Sequence, residues 1–484
     1  MYSSTSSGKE LRIFVGLMFL IWCYRLWHLL HLDYDLYLDE AYYYNWARHL
    51  DWGYYSKPPV LSWLIWLTTK IFGATVFGIK AGALFIYPLT TYLVYLITKE
   101  LYDTKNALWA ALIFFTLPSV WVSSLIISTD VVLLLFWAMA LLFFIKALKT
   151  DSGLYWMLAG VAGGLGLLSK YNFIFFLAAA LLYLLIVPEY RYYLRKKGLY
   201  IAMGIALVIF LPNLWWNYQH DFISFVHTKE ISQVEKKLFH PGKFLEFFAA
   251  QFLVFGPILY GAYWMALFRK SAYRDKRELL LVLFSFLPLG FILMLSLLSR
   301  SFANWAAPAY VAATVLVTHF LLVRHKVSLL KLSVILHTVL AVLFYEYHPI
   351  TRALGIELTR KSDPYKRMTG WHQVADKIGE IWKDYPDTTL LVDSRTEAAQ
   401  FDYYLKTKCY LYNPEKEVRN QYHLTRDLNT LIGKNFLYVT KKSPRERMKK
   451  EFEQIEDLGE VNVPLYRDFN RTYHLYYLKH FKGY

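Results

Sequence analysis

Long apolar runs fill the first two thirds of the chain, and short polar segments separate them. A helix needs about 20 apolar residues to cross the hydrocarbon core of a bilayer. Eleven runs approach or reach that length, near residues 11–31, 76–98, 107–122, 130–146, 155–169, 172–187, 199–215, 246–268, 279–298, 303–323 and 328–346. The pattern predicts an α-helical integral membrane bundle of about 11 transmembrane helices over residues 1–346.

Residues 347–484 have the polar punctuation of a water-exposed domain. Helical spacing of apolar residues predicts helices at 371–384 and 397–406. A third helix is predicted from Ser443 to about Leu458, because Ser443 and Glu446 have the spacing of a capping box. Strands are predicted at 388–392, 409–412 and 436–440, with two more after the third helix. This region is therefore expected to be a small α/β domain.

The distribution of lysine and arginine orients the bundle. With the N-terminus in the cytoplasm, most basic short loops fall on the cytoplasmic side, as the positive-inside rule requires. Two longer segments, 32–75 and 216–245, and the C-terminal α/β domain then lie outside, which in a bacterial inner membrane means the periplasm. The formal net charge of +16 is then a record of topology, and no nucleic-acid partner is expected.

Composition supports the membrane assignment. Only 19% of residues are charged and 56% are hydrophobic, whereas soluble proteins carry about 25% charged residues. The two cysteines, Cys23 and Cys409, lie in different halves of the chain, and Cys23 sits within an apolar run, so no bridge between them is expected.

Several ionisable residues converge on the outer side of the predicted bundle. A single residue of this kind could be an interfacial anchor, but a set of acids and bases at one level indicates a polar cavity. The set is Asp39, Glu40, Lys57, Asp130, Lys170 and Arg300. Polar and aromatic neighbours expected to line the same cavity are Tyr42, Tyr43, Tyr55, Asn304 and Trp305.

This combination of side chains suits a specific chemistry. A carboxylate can take the proton from a hydroxyl nucleophile. Lysine and arginine can stabilise the charge that grows on a departing phosphate. Together, at a membrane surface, they suit group transfer from a lipid phosphate donor.

Four segments resemble glycosyltransferases of the GT-C fold, in the group of the lipid A aminoarabinose transferases and protein mannosyltransferases. They are Tyr37-Leu38-Asp39-Glu40-Ala41-Tyr42-Tyr43, Tyr54-Tyr55-Ser56-Lys57-Pro58-Pro59, Ser128-Thr129-Asp130, and Arg300-Ser301-Phe302-Ala303-Asn304-Trp305-Ala306-Ala307-Pro308-Ala309-Tyr310. They occur in order and on the same predicted side of the membrane. The predicted architecture, a multi-span bundle with a periplasmic α/β domain, also matches this group.

The resemblance implies a polyprenyl-phosphate sugar donor and inversion at the anomeric carbon. It implies that Asp39 is the general base or orients the acceptor, that Asp130 is the second acid, and that Lys57 holds the lipid phosphate. Lys170 and Arg300 are expected to be further phosphate partners. Glu40 is either a supporting acid or a carboxylate at a helix N-terminus.

The metal requirement is open at this stage. Some members of the group hold a divalent metal with a glutamate just before Lys-Pro-Pro and a distant histidine. This chain has Ser56 at that position, and His227 is only a weak ligand candidate. A divalent metal is thus possible, and no cofactor is certain.

Three functions compete. The leading one is transfer of a sugar to lipid A or a related envelope glycolipid, and the alternative enzyme uses a protein hydroxyl as acceptor. The third is a flippase or transporter of lipid-linked sugars. Transporters tend to have internal repeats with sites at the membrane midplane, whereas the acids here lie at one interface, which favours an enzyme.

Overall fold

The computed structural model describes residues 4–231 and 239–484. Residues 232–238, within the second predicted outer segment, lie outside the described part. The described residues of the membrane half are mostly helical. Its helices are α1 Ser4–Leu30, α2 Leu38–Ala47, α3 Val60–Phe72, α4 Val76–Leu101, α5 Thr104–Thr116, α6 Pro118–Leu125, α7 Thr129–Thr150, α8 Gly153–Leu167, α9 Ile174–Ile186, α10 Lys197–Gln219, α11 Ile223–Ile231, α12 Pro241–Val254, α13 Pro257–Leu267, α14 Lys276–Leu298, α15 Ala309–Val323, α16 Val327–Tyr345 and α17 Tyr347–Ala353.

Each predicted apolar run falls on a helix or a pair of helices. In the described part of the chain, six helices are long and apolar enough to span a membrane, and nine spans result if each bent helix pair counts as one. Helices α8 and α15 are shorter apolar helices. The number of crossings, eleven, therefore stays a prediction.

The run at 246–268 is not one continuous helix. Helices α12 and α13 meet at an angle of 113° across a short break. Gly256 lies in that break with φ +94°, and a Cβ there would come within 2.0 Å of the His337 ring. Pro257 then begins α13, because proline is favoured in the first turn of a helix. The apolar pattern continued across this bend and concealed it.

The C-terminal part contains one five-stranded sheet, with strands β1 Thr388–Val392, β2 Tyr410–Leu411, β3 Asn435–Thr440, β4 Phe452–Tyr466 and β5 Phe469–Phe481. The strand order is β2-β1-β3-β5-β4. Strand β1 is parallel to β2 and β3, and β5 is antiparallel to β3 and β4. Helices α18 Trp371–Trp382, α19 Arg395–Tyr404, α20 Gln421–Thr425 and α21 Met448–Glu451 complete it.

One helix prediction in this domain was wrong. The segment from Ser443 to Leu458 forms only the short α21, and β4 begins at Phe452. The helix was predicted from the capping-box spacing of Ser443 and Glu446. Pairing with β5 in a long hairpin overrides that local preference, because strand propensity depends on cross-strand packing.

The C-terminal domain packs directly on the membrane half. One buried apolar cluster includes Tyr42 and Trp46 of α2 together with Trp371 of α18 and Phe401 of α19. Polar contacts reinforce it: Asn45 donates to Asp402 at 2.6 Å, and the backbone N–H of Trp371 donates to Asp35 at 2.6 Å. The sheet domain is thus fixed over the segment that carries Asp39. The boundary predicted between residues 346 and 347 stays a prediction.

Both cysteines are free thiols, as expected.

Candidate active site

Helix α2 carries the first acid. It begins at Leu38, with Tyr37 as N-cap, and Glu40 accepts a hydrogen bond from the Tyr37 N–H at 2.8 Å. Asp39 lies in the first turn, where the helix dipole favours a carboxylate. Its side chain is 41% exposed, so it faces an open space. Asp39 does not cap the helix, because the helix starts one residue before it.

Glu40 points the other way, into the protein. It forms an ion pair with Lys80 at 2.5 Å, and both side chains are completely buried. Its Oε1 atom also accepts from the backbone N–H of Ile127 at 2.8 Å. With both oxygens engaged and no solvent contact, Glu40 has the geometry of the helix-terminal carboxylate rather than of an acid facing the substrate.

Helix α7 carries the second acid. The Ser128 hydroxyl caps its N-terminus and accepts from the Asp130 N–H at 3.3 Å. One oxygen of Asp130 accepts from Lys170 at 2.6 Å, and the other accepts from Asn304 at 2.6 Å. Asp130 and Lys170 are buried, whereas Asn304 is exposed. The structure therefore brings together three residues that lie far apart in the sequence.

The loop that carries Lys57 is tightly held. The Tyr54 N–H donates to the Lys57 carbonyl at 3.1 Å, and the Val60 N–H donates to the carbonyl of Leu168, two residues before Lys170. At Gly53 a Cβ would lie 2.4 Å from the Trp216 ring, so only glycine allows this close approach to α10. Lys57 is consequently placed beside Lys170 by backbone contacts on both sides of its loop.

Lys57 lies within a cluster of charges. It is half-buried, and burial lowers its pKa to about 8, with the charge of Lys170 adding to the effect. The charges of Asp130 and Asp39 act in the opposite direction and raise this pKa, whereas the charge of Arg395 lowers it. In the described part of the chain, no carboxylate lies within ion-pair distance of the Lys57 ammonium group. This lysine is thus available to a phosphate.

Arg395 belongs to the same cluster, and the sequence analysis missed it. It is the first residue of α19, directly after the N-cap Ser394. Its guanidinium lies 3.9 Å from Asp39 and 5.4 Å from the centre of the Tyr42 ring. Only the docking of two regions more than 300 residues apart places it there, and neither region alone signals this.

The other predicted residues are distributed as follows. Tyr43 is buried, and the charges of Asp39, Arg395 and Asp130 act on it. The Tyr42 hydroxyl accepts from the Gln421 N–H at 2.6 Å, and the Tyr55 N–H donates to the Gln421 side chain at 2.7 Å. The Trp305 carbonyl accepts from Asn172 at 3.3 Å.

Arg300 is not brought into the cluster. It is exposed, and its guanidinium lies 4.6 Å from the centre of the Phe302 ring. The residue from this loop that contacts the acid is Asn304. Arg300 as a phosphate partner stays a prediction.

The described residues around His227 do not fit a divalent metal. The His227 ring packs against the Tyr55 ring at a tilt of 49°, with ring centres 4.8 Å apart. Burial lowers its pKa to about 4, and the charges acting on it, from Lys57 and Arg395, are positive. Within residues 4–231 and 239–484 no three histidine, cysteine or acidic side chains are grouped so that they could hold a metal ion.

A helical membrane bundle carrying an α/β domain, with acids and lysines near their junction, is the architecture that the sequence predicts for a membrane glycosyltransferase. Comparison with known proteins supports this. Residues 56–216 match the family described as dolichyl-phosphate-mannose-protein mannosyltransferase. The lipid A galacturonosyltransferase RgtD of Rhizobium johnstonii is 31% identical over 394 residues, covering 80% of this chain and 82% of that protein.

Two further similarities agree with this. An undecaprenyl phosphate-alpha-4-amino-4-deoxy-L-arabinose arabinosyl transferase of Erwinia tasmaniensis is 30% identical over 34% of this chain and 30% of its own. The crystal structure of apo ArnT from Cupriavidus metallidurans superposes with a TM-score of 0.67 at 13% identity, covering 98% of both chains. The chain belongs to the GT-C family of polyprenyl-phosphate-sugar glycosyltransferases that contains these proteins. It is a multi-pass protein of the inner membrane.

Proposed function

We propose that this protein transfers galacturonic acid from a polyprenyl-phosphate donor to lipid A at the periplasmic face of the inner membrane. The observation that carries the proposal is the similarity to the Rhizobium johnstonii lipid A galacturonosyltransferase over four fifths of both chains. The solved ArnT bound to undecaprenyl phosphate has the same fold, with a TM-score of 0.66. The match to the protein mannosyltransferase family covers only residues 56–216. It therefore supports a protein acceptor less strongly than the longer similarity supports lipid A.

The proposed orientation puts the N-terminus in the cytoplasm and the C-terminal domain in the periplasm. It rests on the excess of lysine and arginine in the loops assigned to the cytoplasm. The lipid phosphate then lies at the level of Lys57, and the acceptor reaches Asp39 from the periplasmic leaflet.

In the proposed reaction, an acceptor hydroxyl attacks the anomeric carbon on the face opposite the phosphate. Asp39 takes the hydroxyl proton as the new C–O bond forms. The bond from the anomeric carbon to the phosphate oxygen breaks, and polyprenyl phosphate leaves with one more negative charge. Lys57 stabilises that charge, since a cation helps most where charge grows.

The geometry supports Asp39 rather than Asp130 as the base. Both oxygens of Asp130 already accept short hydrogen bonds, from Lys170 and Asn304. Asp39 is more exposed, and its cationic neighbour Arg395 is 3.9 Å away, too far for a hydrogen bond. A base needs an unoccupied oxygen within reach of the hydroxyl. We assign Asp130 to positioning Lys170 and Asn304.

The test compares Asp39→Asn with Asp130→Asn in the purified protein, using polyprenyl-phosphate galacturonate and lipid A. Asparagine is nearly isosteric but cannot take the proton, so Asp39→Asn is expected to lose about 10² to 10⁴ in kcat and to keep donor binding. Full turnover by Asp39→Asn with an inactive Asp130→Asn would exchange the two roles. If both variants remained active, the paired-acid site would be wrong. Mass spectrometry of lipid A after gene deletion and restoration tests the product itself.

A further inference from the structure

The position of Arg395 is set by the docked C-terminal domain. Asn45 donates to Asp402, which also pairs with Arg426 at 2.6 Å, and Gln421 contacts both Tyr42 and Tyr55. These contacts hold the C-terminal domain, including α19, against α2. The Arg395 side chain is 38% exposed and lies 3.9 Å from Asp39, whose side chain is 41% exposed.

Among the described residues, Arg395 has only a loose ion-pair contact, with Asp39. Lys170 is neutralised by Asp130 at 2.6 Å. Lys57, next to Lys170, is the cation that we assign to the donor phosphate. Arg395 approaches Asp39 at 3.9 Å, the outer limit of an ion pair, so its hydrogen-bond donors remain available. In the part of the chain that the structure describes, Lys57 has no carboxylate partner and Arg395 has only the loose contact with Asp39, so the two cations can bind two separate anionic groups.

The proposed donor contains a second anion. A polyprenyl-phosphate sugar carries one negative charge on the phosphodiester, and a uronic acid adds a carboxylate. The planar guanidinium fork of arginine binds a carboxylate through two parallel hydrogen bonds. The Tyr42 ring, 5.4 Å from the guanidinium carbon, restrains the group by a cation–π contact.

Resting on the proposed function, we propose that Arg395 binds the carboxylate of the transferred sugar and so selects an acidic sugar over its neutral counterpart. The C-terminal domain is then part of the donor site. The two anionic groups of the donor are bound by different parts of the protein. Lys57 of the membrane half binds the lipid phosphate, and Arg395 of the sheet domain binds the sugar carboxylate.

The experiment measures a donor preference. Purified full-length protein is given polyprenyl-phosphate galacturonate or polyprenyl-phosphate galactose, which differ only in the carboxylate, with lipid A as acceptor. The preference is the ratio of the two kcat/KM values. Arg395→Gln is expected to lower this ratio about ten- to a hundredfold, the effect of one charge-assisted bidentate contact. Arg395→Lys is expected to recover part of it, because a point charge replaces the fork poorly.

Arg445→Gln is the matched control. Arg445 is an exposed cation of the same domain, paired with Glu415 at 4.0 Å rather than with the site. It is expected to leave the preference and both rates unchanged. Thermal unfolding of each variant checks that the sheet domain remains docked.

Three outcomes would overturn the proposal. An unchanged donor preference in Arg395→Gln would mean that Arg395 acts on Asp39 alone, because both donors would then lose rate equally. A loss that disappears when lipid A lacks its phosphates would assign Arg395 to the acceptor. Wild-type protein that prefers the neutral donor would refute selection for an acidic sugar. Wild-type protein inactive with both donors would instead refute the proposed function.

Discussion

The buried pair between Glu40 and Lys80 connects the two acids of the site. Glu40 accepts from Tyr37 at the start of α2 and from Ile127 just before α7. Lys80, on α4, donates to the carbonyl of Leu125 at 2.9 Å. Asp39 lies just after Tyr37 in the sequence. Asp130 lies a few residues after Leu125 and Ile127. The pair therefore fixes the position of one acid relative to the other.

Replacing Lys80 by methionine tests this arrangement. Both partners have 0% exposure, so Lys80→Met leaves an uncompensated carboxylate in the protein interior. Removing one member of a buried ion pair costs about 3–5 kcal/mol of folding stability. The double variant Glu40→Gln/Lys80→Met removes both charges, and the amide oxygen can still accept from Ile127. It is expected to lie within about 2 kcal/mol of the wild type.

Stability is measured by unfolding in detergent micelles, and turnover is measured on the same samples. Lys80→Met is expected to lose both stability and rate. The double variant is expected to recover its stability more fully than its rate, because the Leu125 contact is still missing. Lys196→Met, which breaks the exposed pair with Asp151, serves as control and is expected to leave the unfolding transition in place. A stable and fully active Lys80→Met protein would refute the positioning role.

The remaining predictions concern the donor phosphate and the topology. Lys57→Ala removes a charged contact worth about 1.5–3 kcal/mol, so kcat/KM is expected to fall about ten- to a hundredfold, and arginine should restore it only in part. Because burial lowers the Lys57 pKa to about 8, the protonated form is lost as pH rises through that value, so wild-type kcat/KM should decline above it and Lys57→Arg should not. A flat wild-type profile would contradict this role. Native Cys409 is buried, so topology is tested with the exposed substitutions Glu446→Cys and Arg274→Cys. Only the first should react with an impermeant thiol reagent in spheroplasts, and the reverse pattern would invert the orientation.

Local patterns predicted most of the elements. Apolar run length located the bundle helices because the bilayer imposes it, and strand β1 was predicted at the bounds it has, Thr388–Val392. The bend between α12 and α13 was missed, because Gly256 and Pro257 interrupt the helix without interrupting the apolar pattern. The β4–β5 hairpin was missed because long-range pairing decided its structure.

The sequence predicted part of the candidate site, because the predicted topology limits which residues can lie on the same side of the membrane. Topology alone put Asp39, Lys57, Asp130, Lys170 and Asn304 on one side of the bundle. It could not show that Glu40 turns inward to Lys80, because adjacent helical residues point in different directions. Nor could it reveal Arg395, whose position depends on how the sheet domain docks.

The unequal engagement of the two acids has a consequence for how the site works. Asp130 is held by Lys170 and Asn304 and can stabilise charge without moving. Asp39 has only the loose contact with Arg395, which leaves an oxygen accessible to an incoming hydroxyl. In the proposed reaction, Asp39 loses its charge when it takes the proton, and Arg395 can then bind the sugar carboxylate more strongly. A cation shared between the base and the sugar would thus favour an acidic sugar most at the transition state, where selection raises the rate.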